Sequence, residues 1–124
     1  MFMKKILVIE DSLEIRENIA ELLLLNGYEV LTASNGKDGI ETTLEERPDL
    51  LICDISMPGI DGYTVLSMLR NNKHVSHIPL IFLTARAEKK EVLSGLNQGA
   101  QHYIVKPFTE EQLIRAVSSA CNIR

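Results

Sequence analysis

The stretch LLICDISMPGIDGYTVL, Leu50 to Leu66, carries four apolar residues straight into a single carboxylate, Asp54, and then breaks at Met57-Pro58-Gly59. An unbroken apolar run of this length, entered from Pro48-Asp49, predicts a strand covered on both faces. Gly59 and Gly62 permit a tight loop out of it, and the segment from Gly62 to Asn72 reads as a helix. A carboxylate at the end of such a strand is costly unless something charged meets it.

The same unit recurs on either side. Upstream, KKILVIED holds the apolar run Ile6 to Ile9. Ser12 follows as a helix cap, and Ile15, Ile19, Leu22 and Leu23 recur at helical spacing until Asn26-Gly27 closes the helix. YEVLTA reads as a strand and GKDGIETTLEER as a helix. Downstream, IPLIFLTA is a strand and EKKEVLSGLNQG a helix; HYIVKPF is a short strand and TEEQLIRAVSSACN a final helix. Thr109 and Gln112 have the spacing of a capping box. Five strand–helix pairs in alternation predict an α/β fold, a doubly wound parallel sheet with helices on both faces.

The 124 residues, 45% apolar and 24% charged, suit one domain over residues 1–124 that needs no metal or disulfide staple. The formal net charge of −4 and the lack of a basic run argue against nucleic-acid binding. Cys53 and Cys121 read as reduced thiols rather than a disulfide framework. MFMKKILVIEDS has too short an apolar run for a signal peptide, and no run approaches membrane-spanning length. The expectation is a soluble, cytoplasmic protein.

In sheets of this kind ligands bind at the carboxyl ends of the strands. The residues expected there are Glu10-Asp11, Asp54, Thr84-Ala85 and Lys106-Pro107, with the bland Ala33-Ser34 on the second strand. Like-charged carboxylates ~4 Å apart repel by roughly 4 kcal/mol per pair at an effective dielectric near 20. Either one is protonated or a cation neutralises them. Mg²⁺ suits oxygen ligands and keeps waters whose positions phosphate oxygens can take. Nucleotide-binding signatures are missing: neither G-x-G-x-x-G nor G-x-x-x-x-G-K-[ST] occurs, and EDSLEI is acidic where a flavin phosphate would want hydroxyls and glycine.

These elements together resemble a bacterial response-regulator receiver domain of two-component signalling. The likeness covers the whole chain and rests on Glu10-Asp11, on Asp54 followed by ISMPGIDG, on LTA at Leu83 to Ala85, and on KPF at Lys106 to Phe108. It implies a flavodoxin-like sheet of strand order 2-1-3-4-5. It also implies that Asp54 accepts a phosphoryl group from the phosphohistidine of a sensor histidine kinase or histidine phosphotransfer domain. Asp11 directly, Glu10 through water, Asp54 and the backbone carbonyl of Ser56 would hold Mg²⁺. Lys106 would neutralise the phosphoryl oxygens, its direction fixed by a cis bond to Pro107. Thr84 would offer a hydroxyl, Ala85 a backbone N–H, and Tyr103 the aromatic of a switch that follows Thr84 inward. On this reading the chain is a phosphorylated switch that assists its own phosphorylation and dephosphorylation, not an enzyme.

Ser56 and Arg86 occupy positions that tune phosphoryl lifetime in the family. A small hydroxyl and a long cation make no obvious water-orienting pair, so a phosphorylated state outlasting seconds is expected. Many DNA-binding regulators of the family carry two acids where this chain has Gln101-His102, which weakens the case for their mode of dimerisation. Two further readings stand beside the switch: an interaction module that works without phosphate, and an intermediate receiver in a hybrid-kinase phosphorelay. His74, His77 and His102 read as surface residues, Met57 and Met68 as packing. Four consecutive leucines, Leu22 to Leu25, cannot all face one sheet, so Leu24 or Leu25 is expected at the surface, available for docking beside the Asp54 rim.

Overall fold

The computed structural model describes residues 3–85 and 102–121. Each apolar run within them forms a strand: Lys5–Ile9 (β1), Glu29–Ala33 (β2), Leu50–Asp54 (β3), Leu80–Ala85 (β4) and His102–Lys106 (β5). The helical patterns form Leu13–Leu25 (α1), Gly36–Glu46 (α2), Gly62–Arg70 (α3) and Glu110–Cys121 (α4). The helix expected over 88–99 lies outside the described residues, as do Arg86 and Gln101.

The strands make one parallel sheet in the order β2-β1-β3-β4-β5, as expected. Its central strands carry apolar side chains on both faces because both faces are covered. Leu7, Ile9, Leu51, Cys53, Leu80 and Phe82 pack with Val65, Leu66 and Leu69 of α3. Ile6, Val8, Leu50, Ile52, Ile81, Leu83 and Ile104 pack with Ile19 and Leu23 of α1 and with Leu113, Val117 and Ala120 of α4. Each side chain of that size stabilises the fold by roughly 1.5–3 kcal/mol when taken from water. The alternation along each strand therefore sets the register, and the register decides which residues reach the carboxyl rim.

The helix ends follow from local chemistry. The Ser12 hydroxyl accepts from Ile15 N–H, and Gly27, at φ +89°, takes the left-handed position after α1. At α4 the capping box forms in both directions: Thr109 N–H donates to Gln112 Oε1 at 2.9 Å and Gln112 N–H to Thr109 Oγ1 at 3.1 Å.

Three expectations need correction. Leu24 and Leu25 are indeed exposed, at 58% and 72%. However, α1 leaves the rim at Ser12, and Leu24 lies about 18 Å further along its axis, so the pair is not beside Asp54. Met57 is buried, but Met68 is exposed on the outer side of α3. His102 is half-buried, its Nε2 enclosed and without a hydrogen-bond partner among the described residues, because β5 turns that side chain to the face where Ile81 and Ile104 pack. His74 and His77 are exposed, as expected.

Candidate functional site

Four strand ends converge on one rim. β1 lies beside β3 with Ile9 opposite Cys53, which brings Glu10 next to Asp54. β3 lies beside β4 with Asp54 opposite Leu83, and β4 beside β5 with Ala85 opposite Lys106. The loop into α3 turns through Gly59 at φ +79°, and Asp61 caps that helix by accepting from Thr64 N–H at 2.9 Å.

Glu10, Asp11 and Asp54 form a cluster in which one carboxylate oxygen of each lies within 4.8 Å of the others. Glu10 and Asp54 are 1% and 4% exposed, while Asp11 faces solvent. The charge that meets Asp54 is Lys106: its Nζ lies 3.3 Å from Asp54 Oδ1 and 3.5 Å from Glu10 Oε1. The Lys106–Pro107 peptide is cis, as the resemblance implied.

Among the described residues, one ammonium meets a cluster of three carboxylates, so negative charge is in excess at the rim. Burial, then the charge of Asp54, push the Glu10 carboxyl up to about 7, against the bond from Ser12 N–H, which lowers it. Burial likewise raises Asp54, although the Lys106 ammonium pulls the other way. Burial disfavours the charged form of Lys106, but Asp54 and Glu10 outweigh it and hold the ammonium above its usual range.

The donor set suits a hard divalent cation. All of it is oxygen, and Glu10 Oε1 is a buried atom without a hydrogen bond, met by the Lys106 ammonium at 3.5 Å. A buried carboxylate oxygen that shares a single ammonium with a second carboxylate is under-neutralised, and a divalent cation would complete the balance. Mg²⁺ therefore fits the residues present.

The remaining expected residues sit around this centre. Thr84 is fully buried at the end of β4, its hydroxyl donating to the Ala85 carbonyl at 3.1 Å. Tyr103 lies on edge strand β5 opposite Phe82, 38% exposed. Ser56 is exposed, two residues past β3. Two contributors were not read from the sequence. Asp61 follows a Gly-Ile pair that reads as loop, and its cap lacks the acidic or amide partner that marks a capping box. Arg16 donates from Nη1 to the Glu10 carbonyl at 2.8 Å, a bond with no sequence signature.

Comparison with known proteins gives the same picture. The response regulator receiver domain family matches residues 6–118. The transcriptional regulatory protein AfsQ1 of Streptomyces coelicolor is 41% identical over 118 residues, covering 93% of this chain and 51% of that protein. Protein PilH of Pseudomonas aeruginosa is 33% identical over 117 residues, covering 94% of this chain and 97% of PilH. The chain spans about half the length of AfsQ1 and of several other curated relatives it matches, and nearly all of PilH. Among solved structures, a response regulator receiver domain protein of Clostridium thermocellum superposes with a TM-score of 0.91 at 34% identity, covering 97% of this chain and 95% of that one. The chemotaxis protein CheY4 of Vibrio cholerae does so with 0.90 at 29% identity, covering 96% and 99%. Among the described residues no helix is long and apolar enough to cross a membrane.

Proposed function

The chain belongs to the response regulator receiver domain family, and from that premise we propose that it is a cytoplasmic phosphoacceptor switch charged on Asp54 by a histidine kinase or a histidine phosphotransfer domain. The observation that carries this reading is the placement of Lys106 Nζ, 3.3 Å from Asp54 Oδ1 and 3.5 Å from Glu10 Oε1, inside a cluster of three carboxylates.

Asp54 is the nucleophile. A carboxylate oxygen forms a bond to phosphorus as the P–N bond to the donor imidazole breaks, and the imidazole nitrogen keeps that electron pair and takes a proton from water. Transfer of this kind needs alignment and charge neutralisation and little else from the protein. Lys106 supplies a fixed cation where charge gathers on the phosphoryl oxygens. Glu10, Asp11, Asp54 and the Ser56 carbonyl would hold Mg²⁺, which when bound neutralises the same oxygens and orients the phosphoryl group.

The output is a change of shape. Thr84 exchanges its bond to the Ala85 carbonyl for one to a phosphoryl oxygen, vacating space at the end of β4. Tyr103, partly exposed on the edge strand, turns inward in response, and the β5 surface presented to a partner changes. The protein is on this reading a switch rather than an enzyme, since the phosphoryl group it handles is its own.

Incubation with Mg²⁺ and acetyl phosphate tests it. The wild type gains the mass of one phosphoryl group and Asp54→Asn does not. A gain of equal size in Asp54→Asn, or none in the wild type with either a small donor or a phosphorylated histidine partner, overturns the reading.

A further inference from the structure

Glu10 is tied at three points. Its N–H donates to the Ala33 carbonyl at 3.1 Å, its Oε2 accepts from Ser12 N–H at 3.0 Å, and its carbonyl oxygen accepts from Arg16 Nη1 at 2.8 Å. The first two bonds follow from the sheet and from the turn into α1. The third reaches back from the first turns of the helix, six residues along the chain. Arg16 is half-buried, and among the described residues it makes no ion pair, although Asp38 and Glu41 line the same groove. A guanidinium that has acids nearby and bonds a main-chain carbonyl instead is held there for geometry.

We infer that Arg16 is a positioning residue for Asp11. The carbonyl that Arg16 holds and the Asp11 N–H belong to one planar peptide group. Fixing the oxygen fixes that plane, and with it the direction in which the chain leaves β1 and the Asp11 side chain departs. Asp11 is exposed, so no core packing orients it. The held peptide keeps its carboxylate within 4.8 Å of those of Glu10 and Asp54. Arg16 does this without placing its charge among the carboxylate oxygens, where Lys106 already stands.

This inference rests on the reading of the rim as a divalent-cation site. The test is calorimetric titration of the whole chain with Mg²⁺, alongside thermal unfolding in EDTA. Arg16→Met keeps the aliphatic stem and removes every donor. Its Mg²⁺ affinity falls about tenfold, the low end of what loss of a partner behind a ligand does to metal binding. Its melting temperature in EDTA stays close to that of the wild type. Arg16→Lys returns a single ammonium donor group and recovers part of the loss, which a role in packing alone would not produce. If Arg16→Met does not fold, Arg16→Gln, whose shorter arm cannot reach the Glu10 carbonyl, stands in for it with the same expected loss. Affinity within twofold of wild type in Arg16→Met, or in Arg16→Gln where that stands in for it, or no recovery in Arg16→Lys, overturns the assignment. A wild type that binds no Mg²⁺ overturns the reading of the rim itself, and the role of Arg16 with it.

Discussion

Gly62 stands so close behind Asp54 that a Cβ placed on it would lie 2.5 Å from the Asp54 carbonyl oxygen and 2.8 Å from Ile55 Cα. Its N–H donates to the Ile55 carbonyl at 2.8 Å. The first turn of α3 therefore abuts the end of β3 directly, backbone against backbone. The need for glycine here is one of space, because both neighbouring atoms belong to the main chain and cannot swing aside.

Gly62→Ala therefore forces the start of α3 away from β3. The expected cost is about 1–3 kcal/mol, the range for overpacking a filled site. Because the displaced atoms include the backbone of Asp54, phosphorylation from acetyl phosphate slows as well. Urea denaturation and a phosphorylation time course check the two effects. A variant as stable as the wild type would mean that the two elements are not in contact.

The Glu10 carboxyl, raised from 4.5 to about 7, makes a signed prediction about pH. Between those values the folded protein holds a proton that the unfolded chain has released. Stability contributed by this group therefore falls as pH rises from about 4.5 to about 7, by an amount on the order of 3 kcal/mol. Glu10→Gln removes that slope. In EDTA, the variant gains on the wild type as pH is raised from 5 to 8, and the gap is largest at the alkaline end. Parallel stability curves for the two proteins across this range would contradict it.

The capping box of α4 gives a prediction independent of the rim. Thr109→Ala removes the acceptor of Gln112 N–H, and Gln112→Ala removes the acceptor of Thr109 N–H. Each costs about 1 kcal/mol. The two bonds brace the same turn, so the double variant loses less than the sum of the single ones. A double-mutant cycle by urea denaturation reads the difference; strict additivity would show that the two bonds act separately.

Much of this molecule is legible in its sequence. Apolar runs such as Ile6–Ile9 and Leu50–Cys53 predict buried parallel strands because no other element hides both faces of so short a segment. Ser12 and the Thr109–Gln112 pair were legible because capping is local. Glu10, Asp11, Asp54 and Lys106 were legible as a set because strand ends of one sheet share a rim. What escaped depends on distances along or across elements. The exposed Leu24 and Leu25 lie far along α1 from the rim, since direction along the helix, not leucine content, decides their distance from Asp54. Met68 is exposed where packing is expected, because a short helix leaves its rotational phase ambiguous. The strength with which Glu10 resists ionisation comes first from burial and then from Asp54, and both are properties of the assembled rim.

The crowding of that rim makes a last prediction about Asp54 itself. Asp54→Asn keeps an oxygen that can accept from Lys106 Nζ, now 3.3 Å from Oδ1, and keeps the side-chain shape. It removes one negative charge from three that lie within 4.8 Å of one another. Glu10 retains its own contact with Lys106 at 3.5 Å, so no buried charge is orphaned. Repulsion between close carboxylates in such a setting amounts to a few kcal/mol, up to roughly 4 per pair at ~4 Å. In EDTA at pH 8, Asp54→Asn is therefore more stable than the wild type, although it cannot be phosphorylated at that position. The advantage shrinks as pH falls, because Asp54 and Glu10 both have raised pKa values and take up protons that relieve the same repulsion in the wild type. Added Mg²⁺ narrows the gap from the other side, stabilising the wild type by about 2.7 kcal/mol at a concentration of one hundred Kd. Thermal unfolding of both proteins at pH 8 and pH 5, with and without Mg²⁺, measures all three terms. A metal-free variant less stable than the wild type at pH 8 would show that Lys106 alone already neutralises the cluster.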